Sequence, residues 1–247
     1  MDRLIYTAMT GALHTMTQQA TVSHNLANAS TTGFRAQTDA FRAVPVYGES
    51  LPTRAFVLDS TTGADFTPGA IQQTNRPLDV AVQGSGWIAV QLENGEEAYT
   101  RHGNLKMDAN GILQTQQGFN IKGESGPITI PPDSRIAIGK DGSVSVLPSD
   151  SRMTAVSIVG RIKLVDPPAE QLVRGEDGLF RLKEGGQAPV SEKVALIDGA
   201  LESSNVNVIS EMVKMITLAR QFDMQMKMLE NAQQNAQQAG EIMTLRG

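Results

Sequence analysis

Three histidines and two acidic pairs are the residues of this chain whose types could carry out acid–base chemistry or hold a metal. His14, His24 and His102 stand at no metal-ligand spacing, and no group of carboxylates accompanies them. His14 and His24 would fall on different faces of a helix. Glu96-Glu97 and Glu176-Asp177 could serve as acid and base, but each pair sits beside a turn glycine and reads as a solvated loop. Gly84-Ser85-Gly86 is too short for a phosphate-binding loop and precedes a strand rather than a helix, so it reads as a hairpin turn. Asn28-Ala29-Ser30 matches a glycosylation tripeptide that is common by chance. The chain has no cysteine, which removes disulfides, thiolate metal sites and a thiol nucleophile together. The expectation is a protein with no catalytic residues, no cofactor and no metal.

The elements around these residues point to assembly. From Val208 onward an apolar stripe alternates steps of four and three: Val208, Met212, Met215, Ala219, Phe222, Met226 and Leu229, then more weakly Gln233, Ala236, Gly240 and Met243. That period suits a helix that buries itself along another helix in a coiled coil. The five methionines Met212, Met215, Met224, Met226 and Met228 read as helix packing rather than as a promiscuous groove. At the other end, residues 4 to 34 contain no Asp, Glu, Lys or Arg, and Ile5, Met9, Ala12, Met16 and Leu26 keep helical spacing. Asp2 suits the cap of this first helix, and Asn25 to Gly33 reads as its end and a turn. The two terminal helices are expected to pack on each other.

Between them the period changes to two. Leu78, Val80 and Val82 alternate with Asp79, Ala81 and Gln83 as a half-buried strand, with Trp87 to Leu92 as its return. Asn94-Gly95, Asn110-Gly111, Asp141-Gly142 and Asp177-Gly178 separate further short apolar runs. Residues 35 to 75, with Pro45, Gly48, Pro52, Gly63, Pro68 and Gly69, read as an extended connector with hairpin character or one ordered by partners. The predicted fold class is α+β. Residues 1–34 and 205–247 form a discontinuous helical domain, 35–75 the connector, and 76–204 an inserted all-β domain of short antiparallel strands.

Net charge is −5. The two ends are each balanced, so the excess acid lies in the middle, and no basic stripe points to nucleic acid. No apolar run is long enough to span a membrane. Thr7, Thr10, His14 and Thr15 interrupt the N-terminal region, so export, if it occurs, is expected without a cleavable signal.

Two stretches carry a resemblance to a known family. Ser23-His24-Asn25-Leu26-Ala27-Asn28-Ala29-Ser30-Thr31-Thr32-Gly33-Phe34-Arg35, with Leu201-Glu202-Ser203-Ser204-Asn205-Val206-Asn207-Val208 at the far end, resembles the axial rod and hook proteins of the bacterial flagellum. Met1 to Met9, Phe34 to Gln37, Arg42 to Val46, Arg76 to Val82 and Ala219 to Lys227 narrow it to the proximal part of the rod. The resemblance implies a structural subunit in a rod that crosses the periplasm, helically stacked, passing motor torque toward the distal rod and hook. It implies other rod proteins and copies of the chain as partners, and the flagellar type III export apparatus in transit. The interface residues expected on this basis are Ile5, Met9, Ala12, Met16, Leu26, Asn28, Met212, Met215, Ala219, Phe222, Met226 and Leu229. A distal rod or hook subunit is the alternative within the family. A soluble β-domain enzyme or binding module with a coiled-coil tail is the alternative outside it.

Overall fold

The computed structural model describes residues 2–45, 55–132, 134–148 and 156–244. Val46, Gly48 and Pro52 of the expected connector lie outside them, as does the side chain of Met243. The chain is α+β, with two long helices at its ends and antiparallel strands between them. It divides into two compact units: Met1–Asn28, Gln37–Asp65 and Val206–Gly247 form the first, and Ala29–Ala36 with Phe66–Asn205 the second.

In the first unit α1 spans Asp2–Ala27 and α2 spans Val208–Thr244. The start of α2 is fixed by Asn207, whose Oδ1 accepts the Ser210 N–H at 3.1 Å, satisfying one of the donors a helix start leaves free. Glu211 adds an acidic side chain to the first turn, where the helix dipole favours one. The two helices pack against each other. At their contact Thr15 Oγ1 donates to Gln225 Oε1 at 3.2 Å, and the amide of Gln225 fills the space a side chain would take at Gly11.

A two-stranded hairpin, Gln37–Pro45 against Ala55–Ala64, completes this unit, so the expected connector is divided between the two units. Hydrogen bonds tie it to α1. Asn25 offers its amide to both backbone groups of Gln37, accepting the N–H at 2.8 Å and donating to the carbonyl at 2.9 Å. Thr21 donates to Asp39 at 2.9 Å, and the ring of His14 meets that of Phe41 edge-on at 5.5 Å.

The second unit is all β. One large sheet runs, in spatial order, Leu172–Arg174, Phe180–Leu182, Glu97–Thr100, Trp87–Gln91, Asn120–Gly123, Leu113–Thr115 and Leu105–Met107. Ser134–Ile138, Ser143–Pro148 and Ser157–Arg161 make a three-stranded sheet. Two small pairs join Val80–Gln83 to Ala195–Asp198 and Ile71–Gln73 to Ala200–Glu202. Val80, Ile88, Val90, Leu105, Leu113, Ile121, Val144 and Leu196 lie in one core.

Two expectations are corrected here. Val80–Gln83 does not pair with Trp87–Gln91; the first joins Ala195–Asp198 and the second joins Glu97–Thr100 in the large sheet. The reason lies at the Gly84-Ser85-Gly86 turn. Arg101 donates to the carbonyls of Val82 and Gly84, and Gly86 packs against Val194 so closely that a Cβ would overlap it, which turns the chain from one sheet into another. Nor is the first strand half-buried: Asp79 and Ala81 are as covered as Val80 and Val82. Asp79 is held by Arg76 at 3.2 Å and Thr74 at 2.8 Å, while Arg76 also reaches Asn104 and the Leu105 carbonyl. A carboxylate so satisfied can occupy a buried position.

Gly33 is the tightest backbone approach in the N-terminal motif. Its φ is +67°, and a Cβ there would lie 2.4 Å from the Arg101 carbonyl carbon and oxygen. Gly33→Ala is expected to destabilise the second unit by at least about 2 kcal/mol, adding left-handed strain to overlap with backbone that cannot turn aside. Chemical denaturation followed by fluorescence of Trp87, the chain's single tryptophan, checks this directly.

Candidate functional site

Of the side chains sorted by type in the sequence, His102 and Asp177 hold local structure together. His102 Nδ1 faces the Thr32 hydroxyl at 2.5 Å and carbonyl at 3.0 Å, fastening the motif segment to the β unit. Asp177 takes both terminal nitrogens of Arg181, at 3.0 and 2.5 Å, closing its turn. Its carboxyl lies below the usual range chiefly because of those bonds. Among the described residues no cluster of three or more His, Cys, Asp or Glu is placed to hold a metal. No described helix is long and apolar enough to cross a membrane.

Glu97 is a correction. Glu96 is exposed, but Glu97 is buried in a strand and accepts from Lys163 at 2.8 Å, Lys122 at 2.7 Å and the Tyr99 hydroxyl at 2.9 Å. Burial alone would raise its pKa; the bonds from Lys122, Lys163 and Tyr99 outweigh burial and hold it below the ordinary carboxylate value. Burial pushes the Tyr99 hydroxyl the other way. Because the folded pKa of Glu97 is the lower one, its stabilisation is complete above the unfolded carboxylate range and is lost as pH falls through the folded value. Acid unfolding monitored at Trp87 should therefore be less steep in Glu97→Gln than in the wild type, once both are referred to their neutral-pH stability. Equal acid limbs would remove Glu97 from the acid response.

The sequence motifs meet at a second buried cluster. Glu202 accepts from Arg35 at 2.8 Å and from Arg101 at 3.0 Å, and all three side chains are only 1–2% exposed. Glu202 also accepts the Gly69 N–H at 2.9 Å, and Arg35 donates to the Thr67 carbonyl. Burial draws the pKa of Arg101 down, Glu202 opposes that, and Arg35 adds to it. Nearby, Asn205 accepts the Ala36 N–H at 2.7 Å and donates to the Thr67 carbonyl at 3.1 Å. The guanidinium of Arg174 lies 4.4 Å from the centre of the Phe34 ring. Segments 29–36, 66–70 and 200–205, by which the chain enters and leaves this unit, are thereby bound side by side. Arg35 and Glu202 stand in the two sequence motifs and Arg101 in neither. An unpaired reading of each charge gave no signal that they meet.

The expected interface residues fall into two sets. In α2 the covered positions are Glu211, Met215, Leu218, Phe222, Gln225, Leu229 and Ala232, again in steps of four and three. Met215, Phe222 and Leu229 belong to this stripe and Ala219 flanks it, whereas Met212 and Met226 are exposed. In α1 Ile5, Ala8, Ala12, Thr15, Gln19, Val22 and Leu26 are covered in whole or part; Met9 and Met16 are exposed with Tyr6 and Leu13. Asn28 lies at the end of α1, its backbone N–H and Nδ2 both donating to the His24 carbonyl.

Comparison with known proteins follows the same segments. A family described as flagella basal body rod protein matches residues 5–35, the flagellar hook protein FlgE/F/G D1 domain matches 81–146, and the flagellar basal body rod FlgEFG protein C-terminal family matches 197–242. Arg35, Arg101 and Glu202 fall one in each. The flagellar basal-body rod protein FlgF of Escherichia coli (strain K12) is 48% identical over 99% of this chain and 100% of its own length. That of Salmonella typhimurium is 46% identical over the same shares. The rod protein FlgG of Buchnera aphidicola subsp. Acyrthosiphon pisum is 31% identical, over 90% of this chain and 92% of its own. The chain therefore belongs to the FlgF family of flagellar basal-body rod proteins.

Proposed function

We propose that the chain is a subunit of the proximal rod of the flagellum, built into the axial structure to carry torque toward the distal rod and hook. The observation that carries this reading is the 48% identity to a rod protein FlgF along the whole of both chains, against 31% to a FlgG. The work is mechanical rather than catalytic. Its partners are other rod proteins and further copies of the chain, and its location is the basal body between the membranes. Export through the flagellar apparatus without a cleaved signal suits an N-terminal helix whose apolar positions are interrupted by Thr10, His14 and Thr15.

The terminal helices form a coiled coil within each subunit, with Ile5, Ala12 and Leu26 of α1 and Met215, Ala219, Phe222 and Leu229 of α2 along the shared side. Covered stripes in steps of three and four on both helices support this. Met9, Met16, Met212 and Met226 face outward toward neighbouring subunits, and Asn28 ends α1 where the chain turns away. Stiffness in such a shaft comes from close packing of many side chains, since packed interiors resist compression.

The test is complementation. In a strain lacking its own copy, the chain should restore motility and appear in isolated basal bodies, whereas Met9→Glu/Met16→Glu should be produced, exported and left out. Full motility of the double variant would remove these positions from the interface.

A further inference from the structure

Helix α2 carries a second stripe on the side turned away from its covered one. Ile209, Val213, Ile216, Arg220, Asp223, Lys227 and Glu230 follow one another in steps of four and three, and every one of them is exposed. Ile209, Val213 and Ile216 are 77%, 59% and 55% exposed. The first half is thus apolar and the second alternates in sign: plus, minus, plus, minus. Among the described residues none of the four charged side chains is held in an ion pair within the chain. A helix that needed this face only for solvent would have no reason to begin it with three aliphatic residues.

We infer that this stripe docks on the same stripe of a second copy of the chain, parallel to it and displaced by one step of three to four residues. The inference deepens the rod reading by naming the face, direction and offset of the contact. At that offset Ile209 meets Val213, Val213 meets Ile216, Arg220 meets Asp223, Asp223 meets Lys227 and Lys227 meets Glu230. At the junction Ile216 lies beside the aliphatic stem of Arg220; the other apolar positions meet apolar ones, and every charged position but the ends finds its opposite.

Other arrangements fail on the same residues. In register, each charge meets its own sign. Two steps apart, Arg220 meets Lys227 and Asp223 meets Glu230, again like on like. Antiparallel helices can match the charges, but Ile216 and Val213 then lie against Gln234 and Gln237, and their apolar surface gains little. The outward residues of α1, Tyr6, Met9, Leu13 and Met16, sit in a segment without any charged side chain, so they would leave all four charges unanswered. A displaced parallel contact also differs from a closed dimer in kind. It sets the two helices apart by about 5 Å along their axes, at the rise of an α-helix.

The chain has no cysteine, which allows direct mapping. Val213→Cys and Ile216→Cys variants are produced together in a strain lacking the native copy, and isolated basal bodies are oxidised. The expected product is the V213C–I216C disulfide dimer, in excess over dimers of either variant with itself. Predominant I216C self-dimers would mean an in-register contact and overturn the offset. Crosslinking of I216C to a Gln234→Cys variant would establish the antiparallel arrangement and overturn the direction. Basal bodies that contain the chain but yield no V213C–I216C product would assign the face to another partner and overturn the inference, leaving the rod reading intact. Basal bodies lacking the wild-type chain would sink both.

Charge exchange gives an independent readout. Asp223→Lys should reduce incorporation about tenfold, since it sets like charges at two positions of every contact. Inverting the whole stripe, with Arg220→Glu, Asp223→Lys, Lys227→Glu and Glu230→Lys together, restores complementarity between copies and should restore incorporation. Undiminished incorporation of the single variant, or failure of the inverted stripe to rescue while the second unit remains folded, would contradict the pairing.

Discussion

Glu202→Ala is expected to lower the stability of the β unit by about 3–5 kcal/mol, because it takes from two buried guanidinium groups the carboxylate they share. Arg35 and Arg101 reach Glu202 at 2.8 and 3.0 Å and have almost no access to water. Removing the carboxylate leaves them repelling each other in a region of low dielectric, and it also takes the acceptor from the Gly69 N–H. The loss is read as a shift of the denaturation midpoint at Trp87, whose ring lies 5.3 Å from the Arg101 guanidinium. Glu202→Gln keeps an oxygen for Gly69 and removes only the charge, so it should fall between the wild type and alanine. Replacing all three charged residues with apolar ones of similar volume should cost less than Glu202→Ala alone, since no ion is then left uncompensated. A loss below about 1 kcal/mol for Glu202→Ala would show that the cluster is not what binds segments 29–36, 66–70 and 200–205.

Phe222→Asp is expected to abolish incorporation into the rod while leaving the β unit as stable as before. Phe222 belongs to the covered stripe of α2, and the helix packed against it has no charged side chain from residue 4 to 34. A carboxylate at that position finds no cation on α1 beyond Arg3 in its first turn, and the ring's packing is lost with it. Together these remove about 2–4 kcal/mol of helix–helix interaction. Isolated chain should show less helical signal in circular dichroism and an unchanged denaturation curve at Trp87. Cells carrying the variant should be non-motile and lack it in their basal bodies; normal motility would take Phe222 out of the seam.

What the sequence revealed and what it concealed divide along physical lines. Two long helices and a β-rich middle follow from period alone, since a change from 3.5 to 2 is visible without knowing what packs where. The β-turns at Asn94-Gly95, Asn110-Gly111, Asp141-Gly142 and Asp177-Gly178 follow from the left-handed backbone their glycines adopt. The covered face of α2 is rotated from the apolar reading because Glu211 and Gln225 occupy it. Gln225 is suited to that place by a hydrogen bond from Thr15 and by the open space at Gly11, neither of which a hydrophobicity pattern can register. The exposed methionines Met9, Met16, Met212 and Met226 look like core for the converse reason: an exposed apolar side chain has the same chemistry as a buried one.

Strand pairing was hidden by long-range partners. Val80–Gln83 is followed by a turn and an apolar run, which reads as a hairpin, yet Arg101 claims the turn carbonyls and Ala195–Asp198 takes the edge. Charges paired across long stretches of chain escape local reading too. Glu97 resembles a solvated loop residue beside Glu96 until Lys122 and Lys163 are brought to it. The family motifs carried Arg35 and Glu202 as marks of identity; their buried ion pair explains why both ends of the chain need those residue types.

The most direct test of the rod assignment is an electron cryomicroscopy map of intact basal bodies, from a strain in which this chain replaces the native rod protein, at a resolution that shows side chains. The expected result is density for α1 and α2 in the proximal rod, with the Ile209 to Glu230 face against a neighbouring α2. Density for the chain outside the rod, or α2 with that face open to solvent in the assembled shaft, would contradict it.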